Sequence, residues 1–177
     1  MLEHAFFYEL RTVQQLGYIV QCGLSSTRGI YYLVFIVQSQ TSPAEVTQRV
    51  HTFLEGVPQR IANTSAATFS GLVDAARQYM LEPPTRLAQV ASEAWDAITD
   101  DTHRFGWTKS VANALSNATL QDVLELWDGR CSLPGAGRVL VQVFAQGGAA
   151  SSAAHTPTGY MRLSSPREFR NTAVYWD

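Results

Sequence analysis

The sequence predicts an α+β domain of two layers, with helices packed on one face of a largely antiparallel sheet. Three observations lead there. Two runs rich in β-branched and aromatic residues stand early, YIVQC (18–22) and IYYLVFIVQSQ (30–40), and a third, RVLVQVFAQ (138–146), stands late. Helical periodicity fills the stretch between them. At 177 residues with 46% hydrophobic content, the chain is long enough to bury one sizeable core and carries no internal repeat, so a single domain over 1–177 is expected.

In order, Phe6, Leu10, Val13 and Leu16 recur at three- and four-residue steps, which predicts an amphipathic helix from Ala5 to Leu16 stopped by Gly17. The two early strands then form a hairpin across the turn-prone GLSSTRG (23–29). Because residues 30–37 are apolar at both odd and even positions, the second strand is expected to be central, with neither face left fully in water. Ser42-Pro43-Ala44-Glu45 places a capping serine, a first-turn proline and a glutamate at the start of a helix. Its stripe of Val46, Val50, Phe53, Leu54 and Val57 faces the sheet, and Gly56 with Pro58 kinks or ends it.

Two further helices carry Phe69, Leu72, Val73, Ala76 and Tyr79, and, after Pro83-Pro84, Leu87, Val90, Ala94, Trp95 and Ile98. A polar loop around Asp100-Asp101 follows. Thr119 then caps a helix that buries Leu120, Val123, Leu124 and Trp127 and ends at Gly129. Residues 138–146 alternate as a strand and are expected to join the hairpin's sheet. From about 147 to 159 the chain is almost wholly Gly, Ala, Ser and Thr, with too little apolar surface to pack, and is expected to be a flexible loop.

Charge and composition exclude several functions. With 13 basic and 15 acidic side chains, a formal net charge of -2 and no dense cationic block, the chain is not built to neutralise a run of phosphates, so no nucleic-acid partner is expected. No apolar run approaches the roughly 20 residues that cross a bilayer, and no basic-then-apolar leader opens the chain, so a soluble, cytoplasmic protein without a membrane partner is expected. Cys22 and Cys131 have no paired spacing and are expected to be reduced core thiols.

Catalytic signatures are missing. His4, His51, His103 and His155 are scattered, and neither H-E-x-x-H nor H-x-x-E-H occurs. His51 and Glu55 share a helical face but make two ligands at most, which fits an exposed helix pair. No G-x-S-x-G elbow supports a serine triad, the Asp100-Asp101-Thr102-His103 loop has no phosphate-binding context, and GGAASS is no phosphate-binding loop. No catalytic or metal-binding residue is therefore assigned in this segment.

One stretch stands out: LRTVQQLGY (10–18) sets Arg11 and Gln14-Gln15 inside an apolar segment. From spacing alone two readings of Arg11 and Tyr18 stand. In one, Arg11 snorkels to solvent and Tyr18 is an ordinary strand tyrosine; in the other, a break at Gly17 lets both point toward one side of the sheet. Gln14 and Gln15 either bond neighbouring backbone or are solvated.

The segment FFYELRTVQQLGYIVQCG (6–23) resembles the F-F-x-x-L-R-T-x-x-Q-L-G-Y-x-V segment of the inverted-zinc-motif metallopeptidases, the family of insulin-degrading enzyme and pitrilysin. The likeness continues through FIVQSQ (35–40), RVHTFLE (49–55), the Arg104-Phe105 pair, the run at 138 and the ending PREFR, weakening after residue 60.

The resemblance implies the fourth, C-terminal domain of a chamber-forming zinc metalloendopeptidase, a half-domain of the mitochondrial-processing-peptidase-like fold that lacks the strands preceding the motif helix. It implies that H-x-x-E-H and the zinc belong to an N-terminal catalytic half of the same protein, so that this segment, inactive alone, forms chamber wall. It implies that Arg11 and Tyr18 contact the peptide substrate near the catalytic centre. Two other readings are a free-standing inactive scaffold or subunit of the same fold, and an independent hydrolase using His103 or serine side chains, which would be active in isolation.

Overall fold

The computed structural model describes residues 1–99, 102–132, 137–144, 156–157, 159–163, 165 and 167–168. Helix α1 (Leu2–Phe7) runs into a π-helical turn over Tyr8–Val13. Strands β1 (Ile19–Thr27) and β2 (Ile30–Gln38) follow, then α2 (Pro43–Glu55), α3 (Val57–Ala62), α4 (Ala66–Leu81), α5 (Leu87–Thr99), α6 (Trp107–Leu115) and α7 (Leu120–Leu126). Helix α7 continues as a π-helical turn through Trp127–Cys131. The fold is α+β, with helices against one face of an antiparallel hairpin.

The π-helical turn changes the face of the first helix. Its i→i+5 step, seen in the bond from the Gln14 amide to the Glu9 carbonyl, inserts one extra residue per turn. Phe6, Leu10 and Leu16 are buried, whereas Val13, expected on the same stripe, is 61% exposed. The helix ends one turn before Gly17: Gln15 takes a left-handed conformation with φ 50°, and the Leu16 amide closes back onto the Leu10 carbonyl at 2.9 Å. Gly17 is required for a different reason, since a Cβ there would lie 2.0 Å from the Gln38 carbonyl oxygen.

The hairpin is tighter than GLSSTRG suggests. Arg28 (φ 51°) and Gly29 (φ 76°) alone form the turn, both with the positive φ of a two-residue hairpin turn whose twist matches its strands. The register pairs Val20 with Val37 and Cys22 with Phe35, putting these four on the helix-facing side. Phe6 seats edge-on against both Phe35 and Phe53, each at 5.1 Å between centroids, and so joins α1, the sheet and α2 in one core. Val57, Ile61 and Trp127 close that core from α3 and the end of α7.

Helix α2 starts as its sequence demands, with the Ser42 hydroxyl accepting from the Glu45 amide at 3.3 Å. Glu45 does not return the cap; its carboxylate takes Arg49 at 2.5 Å instead. Gly56 separates α2 from α3. At α7 the capping box is complete between Thr119 and Asp122, and the two hydrogen bonds from Thr119 hold the Asp122 carboxyl below its ordinary value.

Three expectations are corrected. Strand β2 is not central: among the described residues the sheet is the β1–β2 pair, and Ile30, Tyr32 and Ile36 are exposed on the face away from the helices. Residues 138–144 form no strand; they alternate half-buried and exposed, but their anchor is α2, where Gln142 Nε2 donates to Thr47 Oγ1 at 3.0 Å. Alternation alone does not make a strand, because a ladder needs a free edge within hydrogen-bond reach. Helix α6 is unexpected: Trp107, Val111, Ala114 and Leu115 do recur at helical steps, but the helix opens on Gly106 in a left-handed conformation rather than on a capping side chain, so no start signal marks it. Of the expected loop at 147–159, all but 156, 157 and 159 lies outside the described residues.

Candidate functional site

Arg11 and Tyr18 meet. Arg11 projects from the π-helical turn and Tyr18 precedes β1, and the guanidinium carbon lies 5.7 Å from the centre of the tyrosine ring, within range of a cation–π contact. Tyr18 is 83% exposed, so its ring and hydroxyl stay open to another molecule. Arg11 is half-buried. Neither residue is an isolated surface side chain.

The segment between them is held on several sides. Glu9, ahead of Arg11, pairs with Arg60 of α3. Gln14, just past the turn, accepts from Arg49 of α2 at 3.5 Å, which resolves one of the two glutamines as a tether between helices. The Leu16 carbonyl accepts from the Ser39 hydroxyl, and Gly17 packs on the Gln38 carbonyl. The surface ion pair adds little stability by itself, yet together these contacts give the backbone from Arg11 to Tyr18 few alternatives.

A second cluster gathers on α2. His51 Nε2 is 3.1 Å from the Tyr160 hydroxyl, the two rings stack at 5.7 Å, and Arg138 lies 5.6 Å over the other ring. Burial, then the Arg138 charge, push the His51 pKa down, with Glu55 opposing them. The sequence paired His51 only with Glu55; Tyr160 is too distant in the chain for any local pattern to reveal. The thiols are quiet: burial, with Glu3 second, pushes Cys22 up to about 11, and burial raises Cys131.

His4 stacks on Tyr8 with 6.5 Å between ring centres, while Asp100, Asp101 and His155 lie outside the described residues. Among the described residues no three His, Cys, Asp or Glu side chains stand together as a metal site, and no helix is long and apolar enough to cross a membrane. The residues that sequence reasoning missed are supports: Glu9, Ser39, Arg49 and Arg60. Their partners come from other elements, and only Ser39, a lone polar residue between a strand and a helix cap, carried even a faint local signal.

Residues 1–95 match the model of the family described as PQQ synthase PqqF-like, C-terminal lobe domain 4. The chain is 29% identical over 127 residues to "Insulin-degrading enzyme-like 1, peroxisomal" of Arabidopsis thaliana, covering 71% of this chain and 13% of that protein. It is 29% identical over 121 residues to human insulin-degrading enzyme (68% and 12%), and 30% identical over 151 residues to a "Nardilysin-like" protein of Arabidopsis thaliana (81% and 14%). The chain thus spans about an eighth of the length of these relatives. The crystal structure of pitrilysin superposes with a TM-score of 0.61 at 22% identity, over 71% of this chain and 14% of that one, which shows a shared fold. With more than half of its 177 residues inside the family model, this chain belongs to the family of PqqF-like C-terminal lobe domains 4.

Proposed function

We propose that this chain acts as the non-catalytic C-terminal domain of an insulin-degrading-type zinc metalloendopeptidase, forming part of a peptide-holding chamber and touching the peptide substrate through Arg11 and Tyr18. The observation that carries this reading is the Arg11–Tyr18 pair itself: two groups able to grip a peptide bond, side by side, one of them open to solvent, on a backbone clasped by α2, α3 and the β2–α2 connection. The family membership and the insulin-degrading relatives support it.

Among the described residues no three His, Cys, Asp or Glu side chains stand together to hold a zinc ion; in this reading the zinc belongs to the N-terminal catalytic half of the same protein, and no step here runs through it. What this chain supplies is orientation and charge. Arg11's guanidinium donates forked hydrogen bonds to peptide carbonyls. Tyr18's hydroxyl donates to the oxygen that gains negative charge as the carbonyl is attacked. Both act more strongly once the chamber closes and expels water, where a hydrogen bond to developing charge is less screened. The segment is inactive alone, and its place in the cell is the cytoplasm.

The test is the size of the native polypeptide, read by an antibody raised against this chain, together with its peptidase activity. A product several times the 19.5 kDa of this chain, hydrolysing peptides in a Tyr18-dependent manner, is expected. A native product of 19.5 kDa without activity replaces this reading with a free-standing scaffold of the same fold.

A further inference from the structure

We propose that Ser39 is a positioning residue for the Arg11–Tyr18 pair, an inference whose catalytic consequence rests on the function proposed above but whose geometry does not. Ser39 follows the last residue of β2 and precedes the Ser42 cap of α2. Its hydroxyl donates to the carbonyl of Leu16, 23 positions earlier, and accepts from the Thr41 amide at 3.0 Å. A serine hydroxyl has one proton and two lone pairs. With Thr41 occupying a lone pair, the proton is directed at Leu16, and a three-member relay runs from the Thr41 N–H through Ser39 to the Leu16 carbonyl.

Leu16 is the hinge of the site. Its side chain is buried at 4% exposure, its amide bonds to the carbonyl of Leu10 beside Arg11, and it stands two residues before Tyr18. Ser39 therefore grips the peptide unit that sets how far Tyr18 stands from Arg11. Gly17 supports the same conclusion from its other side, because the β2 end is so close there that a Cβ would meet the Gln38 carbonyl carbon at 2.9 Å and its oxygen at 2.0 Å. The β2–α2 connection thus sits against the Leu16–Gly17 backbone through one hydrogen bond and one steric contact. Without the Ser39 hydroxyl, the Leu16–Gly17 backbone keeps only the steric contact with this connection; the pairing of Ile19 with Gln38 holds the chain after Tyr18, but no bond from this connection then fixes the peptide unit before it.

The experiment reads the pair directly. With the Arg11 guanidinium carbon 5.7 Å from the Tyr18 ring centre, Arg11 side-chain protons are expected to be displaced upfield in the proton NMR spectrum of the full chain, and Tyr18→Ala is expected to abolish that displacement. Ser39→Ala is expected to lose it while the cooperative thermal unfolding of the chain persists, and Ser39→Thr, which restores a hydroxyl, is expected to keep it. An undiminished displacement in Ser39→Ala overturns the inference. Should Ser39→Ala not fold, Ser39→Cys keeps the side-chain shape with a weaker donor and is read by the same two outcomes.

In the proposed parent peptidase, Ser39→Ala is expected to lower kcat with KM little changed, as is expected of Tyr18→Phe. If the NMR displacement is lost while both variants leave kcat unchanged, Ser39 positions the pair and the proposed function fails. If the displacement survives, the Ser39 inference fails whatever the kinetics show.

Discussion

The guanidinium carbon of Arg11 lies 5.7 Å from the ring centre of Tyr18. The pair depends on a π-helical turn, a left-handed Gln15 and a glycine pressed on a neighbouring carbonyl, three departures from regular structure within a few residues. Irregular backbone of this kind persists where surrounding contacts over-determine it, and here those contacts come from α2, α3 and the end of β2.

Tyr18→Phe keeps the ring, and therefore the contact with Arg11, but removes the hydroxyl. In the peptidase proposed above it is expected to depress turnover roughly 100- to 1000-fold, the range for deleting one donor to a developing oxyanion, with KM little changed. Steady-state kinetics on a fluorogenic peptide measure this, and an unchanged kcat removes Tyr18 from the mechanism.

Gly17→Ala places a Cβ 2.0 Å from the Gln38 carbonyl oxygen, a clash with backbone that no rotamer relieves. A loss on the order of 4 kcal/mol is expected in urea unfolding, at the severe end for single substitutions. Gly23→Ala is the control: nothing lies within 4 Å of its Cβ, so neutrality or slight stabilisation is expected. Equal effects at the two glycines would show that the close approach at Gly17 is not rigid.

The π-helical turn makes unlike neighbours of two residues that share a stripe in sequence. Phe6→Ala empties the centre of the core and is expected to cost about 3–5 kcal/mol. Val13→Ala changes an exposed side chain and is expected to stay within about 0.5 kcal/mol. Comparable losses at both positions would mean that the first helix runs as a regular α-helix through Val13.

The lowered His51 pKa gives a pH dependence of defined sign. The folded chain holds this imidazole neutral between the Tyr160 hydroxyl, Arg138 and Glu55, whereas the unfolded chain titrates near 6.5. Its contribution is therefore complete above 6.5 and is lost as pH falls from there toward the lowered folded value. The difference in thermal midpoint between the chain and His51→Asn is expected to shrink as pH drops through this window. Replacing Arg138 with glutamine should narrow the window, since a cation beside His51 is removed. A difference that grows on acidification contradicts this sign.

By itself the sequence determined whatever a few neighbouring residues settle. Ser42 and Thr119 announced helices because a cap is a contact across three residues, and the strand composition of 18–22 and 30–37 announced a hairpin because pairing across a short turn is local. LRTVQQLGY marked the candidate site, since a charged and amide-bearing break in an apolar helix needs an explanation of its own. Tertiary structure decided the rest. Val13 turns outward because an added residue in the turn rotates the face, and residues 138–144 lie along α2 instead of in the sheet because Thr47 offers them a partner there. Arg11 reaches Tyr18 because Ser39, Arg49 and Arg60, from three later segments, hold the backbone between them or at its flank. Such contacts join residues separated by 23 to 51 positions, and no local pattern encodes them because their formation depends on the core bringing those segments together first.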